Sequence, residues 1–111
     1  MGNTINPEYA EFALARLLRP AGDWRRLVRD MAERWPDADP LDHVLALIEA
    51  AAAIEQAHAA RNHGHEGVVN GYRLAALLSL DLQVMARLGM RCLAASEVIA
   101  CWQSDGNFLR P

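Results

Sequence analysis

The chain contains no lysine; all 11 of its basic residues are arginine. A GC-rich codon bias accounts for this as well as any function does, but the absence still removes whole chemistries. Schiff-base catalysis and a phosphate-loop lysine both need the missing amine. Cysteine is scarce, with only Cys92 and Cys101, in a stretch that reads as one helix. At about 100° per residue their spacing sets the two thiols on opposite faces, so they cannot bridge within that helix. No apolar run approaches the roughly 18 residues of a membrane span, and no basic-then-apolar leader opens the sequence. A cytoplasmic chain with reduced thiols and no membrane association is expected. Even the alanine-rich stretch from Glu49 to Ala60 is interrupted by Glu49, Glu55, Gln56 and His58. Strand-type alternation, internal repeats, low-complexity tails and long linkers are also missing.

What remains is 111 residues, 52% of them hydrophobic, which suffices for one core and predicts a single domain. A chain this short buries only about 65% of its unfolded surface, so support from a partner subunit is expected. The net charge of -3 and a pI near 5.7 argue against a protein that coats phosphate backbones, which requires clustered cations.

Helix punctuation places five helices, predicting an all-α bundle. Asn6-Pro7 opens the first, about Pro7 to Leu18, with Tyr9, Ala13, Leu14, Leu17 and Leu18 on one face and Phe12 on the other. Asp23 caps a second helix in which Trp24, Leu27, Val28, Met31 and Trp35 form an apolar stripe. Its opposite face carries Arg25, Arg26 and Arg29, read as a solvated basic face or as a docking patch for an acidic partner. Asp39-Pro40 opens a third helix running to about Arg61, whose expected buried arc is Leu41, Val44, Leu45, Leu47, Ile48, Ala51, Ala52 and Ile54. A glycine-rich loop, Asn62 to Gly67, leads to a fourth segment, about Val68 to Leu88, in which Gly67 marks the helix start. Its leucines spread over an arc wider than one surface helix needs. Gly89 breaks to a fifth helix, about Arg91 to Gln103, burying Ala95, Val98, Ile99 and Trp102.

Three sets of polar residues could carry chemistry. Glu55 and His58 form a Glu-x-x-His element inside the expected apolar arc. Carboxylate-bridged metal bundles use two such copies plus two further glutamates, and only one copy is present. A hydrogen-bonded pair completed by Arg73 or Asp81 is the plainer expectation. His58, His63, His65 and Glu66 could coordinate zinc or nickel, but no ordered closed-site spacing appears, and a polar loop explains them as well. Ser79, Ser96 and Ser104 lack a nucleophile elbow, and neither cysteine adjoins a histidine in sequence. No enzymatic activity and no cofactor are expected.

Tyr72 to Leu88 resembles the helix-turn-helix of bacterial repressors. Leu74 and Ala75 would pack its first helix, Leu78-Ser79-Leu80 would form the turn, and Met85 and Leu88 would pack the second. A break at Ser79 would also bring Asp81 to a solvated helix start. A second register, Met85 to Trp102, can be drawn with Leu88-Gly89 at the turn. The resemblance implies a DNA-binding regulator reading bases with Gln83, Arg87 and Arg91.

The competing expectation is an accessory protein of adaptor or inhibitor type that works through protein contacts and forms a homodimer. It accounts for the excess apolar arc and the three tryptophans. Its interface would draw on Leu74, Leu77, Leu80, Val84, Leu88 and Phe12, the last read either as a lone exposed apolar residue or as part of a contact.

Overall fold

In a computed structural model the chain is an all-α bundle, described over residues 6–19, 24–58, 65–90 and 93–102, with only the backbone described at Arg25, His58 and His65. Five helices make up the described part: α1 Pro7–Leu17, α2 Leu27–Arg34, α3 Pro40–His58, α4 His65–Arg87 and α5 Ala95–Trp102. A short 3-10 turn, Trp24–Arg26, leads into α2, so Trp24 precedes the α-helix rather than starting it.

The helix ends follow local chemistry. Asn6 Oδ1 accepts from the Glu8 amide at 2.9 Å, with Pro7 pre-set in the first turn. Asp39 Oδ1 accepts from the Leu41 amide at 2.9 Å and starts α3 in the same way. At the end of α4, Gly89 takes φ 79°, and the Gly89 and Met90 amides return to the Ala86 and Met85 carbonyls at 3.0 and 2.9 Å. That is a Schellman closure, in which glycine supplies the left-handed residue without a Cβ clash. α5 begins later than expected, at Ala95, because its first amides are already engaged. Glu97 Oε1 accepts from the Leu93 and Ala94 amides, while Ala95 and Ser96 donate to the Ala38 and Pro36 carbonyls. Cys92 lies outside the described residues.

α3 and α4 run antiparallel as the central hairpin, in close contact because small residues line their seam. A Cβ added at Gly71 would stand 2.8 Å from Ala51 Cβ, and one at Gly67 would stand 2.7 Å from the Leu17 carbonyl oxygen. Gly67 is therefore a packing residue in the first turn of α4, not merely a helix start. α1 lies along the inner side of this hairpin, and α2 and α5 pack on each other beside it. The core between the layers holds Leu17, Leu27, Met31, Leu47, Ile54 and Met85.

Two buried polar groups sit in that core. Asp81 lies in an unbroken α4, fully buried, and accepts from Trp102 Nε1 at 2.9 Å. The helix-turn-helix expected at Tyr72–Leu88 is thus absent: α4 runs unbroken through Ser79, and Asp81 takes a buried hydrogen bond from the indole on one carboxylate oxygen where it stands. The second register fails for a related reason. The helices flanking Gly89 are separated by residues 88–94, longer than the 3–4-residue turn of that motif.

The other group is His43, fully buried, with its ring centroid 4.9 Å from that of Tyr9 and 6.3 Å from that of Trp35. Of the two readings of Phe12, an exposed outlier or part of a contact, the structure shows the second: the side chain is half-buried. Its ring meets Trp35 edge-on at 5.4 Å, and the Arg16 guanidinium lies 5.7 Å from its centroid. The aromatic cluster ties α1 to the turn before α3.

Candidate interaction surface

The largest departure from expectation is the rotation of α3. Its inner arc is His43, Val44, Ala46, Leu47, Ala50, Ala51 and Ile54, while Leu41 and Leu45, expected inside, are 56% and 49% exposed, and Ile48 is exposed as well. The physical reason is the alanine–glycine seam. α4 and α1 can approach closely only over small side chains, so Ala46, Ala50 and Ala51 turn inward with Leu47, while Leu41 and Leu45 turn outward. α4 shows the matching asymmetry: Val69, Tyr72, Ala76, Leu80 and Gln83 are exposed, with Leu80 at 50%.

These two exposed stripes share one face. Tyr72 donates from its hydroxyl to Glu55 Oε1 at 3.0 Å, which fixes the outward edges of the two helices against each other. From that bond the stripes run together along the hairpin, as Ala52, Ile48, Leu45 and Leu41 on α3 and as Ala76 and Leu80 on α4, following the helical period. The face is opposite the inner layer. Charges stand at its margins, with Glu49 and Glu55 on α3 and Glu66 and Arg87 on α4, all exposed. The Tyr72 phenol is held above its ordinary pKa by the hydrogen bond to Glu55 first, then by burial and the carboxylate's charge.

The residues expected to form an interface are divided by the structure. Leu80 belongs to the outer face, and Leu88, 70% exposed, lies at the end of α4. Leu77 and Val84 are half-buried on the flank of α4, with Leu77 against the core. Leu74 is fully buried in the core cluster and has no surface to offer. Phe12 is on the inner layer.

Other expected sites resolve as follows. Arg26 faces Asp30 at 3.4 Å and Arg29 faces Glu33 at 3.3 Å, while Arg16 reaches Asp30 at 2.7 Å. The α2 basic face is therefore answered by carboxylates of its own chain; the Arg25 side chain lies outside the described residues. Glu55 is exposed and paired with Tyr72, not buried with Arg73, which stacks over Trp24 at 5.5 Å. Gln83 and Arg87 are exposed on α4, and Arg91 lies outside the described residues, as do His63 and the side chains of His58 and His65. Glu66 is exposed in the first turn of α4. Among the described residues no three His, Cys, Asp or Glu side chains come together as a metal group.

His43 borders a small gap of about 10 Å³ among Val28, Leu78, Val98 and Trp102, room for about one water molecule and far too little for a small-molecule ligand. Burial lowers the imidazole from its usual value to about 4, against a weaker opposing pull from Asp39, so the ring is neutral. No described helix is long and apolar enough to cross a membrane.

The chain matches no family model, no curated protein and no solved structure.

Proposed function

We propose that this protein works by binding a protein chain through the outer face of the α3–α4 hairpin, as an accessory module of adaptor or inhibitor type. The observation that carries this reading is the alignment of Leu41, Leu45, Ile48, Val69, Tyr72 and Leu80 on one side of two packed helices. An apolar strip of this kind exceeds scattered surface leucines, and contiguous exposed apolar patches mark interaction sites. The aromatic Tyr72 and the rim charges give the face the composition of an interface: apolar at the centre, polar at the border.

The test compares the wild-type chain with a variant carrying Leu45→Glu and Leu80→Glu, both immobilised and both shown to be helical by circular dichroism. Each is exposed to extract of the native cells, and retained polypeptides are identified by mass spectrometry. Wild type is expected to hold a discrete polypeptide, either another copy of this chain or a different protein, that the variant loses. Equal retention by both overturns the reading.

A further inference from the structure

We infer that the occupant of the outer face is a second copy of this chain, with the two α3–α4 hairpins packed antiparallel across a twofold axis near Ala76. This rests on the reading above and names its partner. Among the described residues α1, α2 and α5 pack on one side of the hairpin and leave Leu41, Leu45, Ile48, Tyr72 and Leu80 exposed on the other, so a second hairpin completes a layered helical core.

Area supports it. The 19 residues of α3 make a face about 30 Å long, and two helices at 8–10 Å spacing make it about 20 Å wide. That is close to 600 Å² per copy and about 1,200 Å² in total, the lower bound of stable protein interfaces.

Charge selects the orientation. An isologous contact must be complementary to itself. Gly71 lies against Ala51, so Ala76 is level with about Leu45 on α3, and antiparallel pairing about that axis sets Leu41, Leu45 and Ile48 of one copy against the same apolar ridge of the other. With the axis near Ala76, Leu80 falls opposite Tyr72 of the other copy and Arg87 falls opposite Glu66. The parallel alternative would gather both Arg87 side chains at one end and both Glu66 side chains at the other, which opposes association.

Sedimentation equilibrium on the full chain at high micromolar concentration tests this. The expected mass is near twice 12.3 kDa, falling to the monomer value in Leu45→Glu and in Leu80→Glu, since a buried unpaired carboxylate should weaken association by about 100-fold or more. Leu45→Ser serves as a milder variant should either glutamate disturb folding. Arg87→Glu should weaken the dimer several-fold, and adding Glu66→Arg should restore it; failure of that rescue overturns the antiparallel arrangement. A monomer at every concentration overturns the second-copy inference. Capture of a different protein by the same face would then leave the broader reading standing, whereas no capture would remove both.

Discussion

Trp102 Nε1 donates to the Asp81 carboxylate across 2.9 Å, with both side chains fully buried. This contact joins α5 to α4 and lets α4 pass through Asp81 without a break. Trp102→Phe keeps most of the apolar volume and removes this donor. It should cost about 1–3 kcal/mol, since a buried acceptor loses its donor. Urea unfolding followed by circular dichroism measures it; a loss below about 0.5 kcal/mol would show that the indole is not what satisfies Asp81.

Glycine positions separate two kinds of cost. Gly67→Ala gains up to about 1 kcal/mol of helix propensity, but its Cβ meets the backbone oxygen of Leu17 at 2.7 Å, which cannot move cheaply. Overpacking of about 1–3 kcal/mol should win, so the variant is expected to be less stable. At Gly71 the closest neighbour is Ala51 Cβ at 2.8 Å, an atom fixed to the α3 backbone that cannot rotate away, so Gly71→Ala should be destabilising for the same reason. Gly89→Ala meets nothing within 4 Å, and its cost of about 1 kcal/mol comes from φ alone. Chemical denaturation of the three variants should show all three less stable than wild type, and a stabilised Gly67→Ala or Gly71→Ala would contradict the tight seam.

Acid should weaken the fold through His43. In the unfolded chain the imidazole takes a proton near pH 6.5, whereas in the folded chain it resists until about pH 4. Between those values the unfolded state binds more protons. Stability is therefore retained above about pH 6.5 and declines as pH falls toward 4, by about 3 kcal/mol over the window. Nε2 makes no hydrogen bond, so His43→Phe should be tolerated at neutral pH and should flatten this slope. Thermal melts at pH 7.5 and 4.5 check it; an unchanged slope in the variant would place the acid sensitivity in other groups.

Helix boundaries were the most legible part of the sequence, because Asn6-Pro7, Asp39-Pro40 and Gly89 impose their geometry locally, without tertiary help. The orientation of α3 was not legible. Leucine and alanine surround that helix, so apolar periodicity alone cannot select the inner arc. The choice is made by contacts on other helices: Gly71 of α4 admits Ala51, and Gly67 lets α4 close on Leu17 and Ile54. The partner of Asp81 was not legible for the same reason: Trp102 is distant in sequence and nothing near Ser79 announces it. Of the outer face, Leu80 and Leu88 were readable from the over-wide arc of α4, whereas Leu41, Leu45 and Ile48 look like core until the seam is known.

Cross-linking tests the account's central claim most directly. In a chain with Cys92 and Cys101 replaced by serine, Ala76→Cys places a thiol at the centre of the outer face, and Ala100→Cys places one on exposed α5. Under mild oxidation the Ala76→Cys chain should form a disulfide-linked dimer readily, and the Ala100→Cys chain should not. Equal cross-linking of the two, or linkage through Ala100→Cys alone, would contradict the assignment of the α3–α4 face as the surface through which this protein binds its own copy.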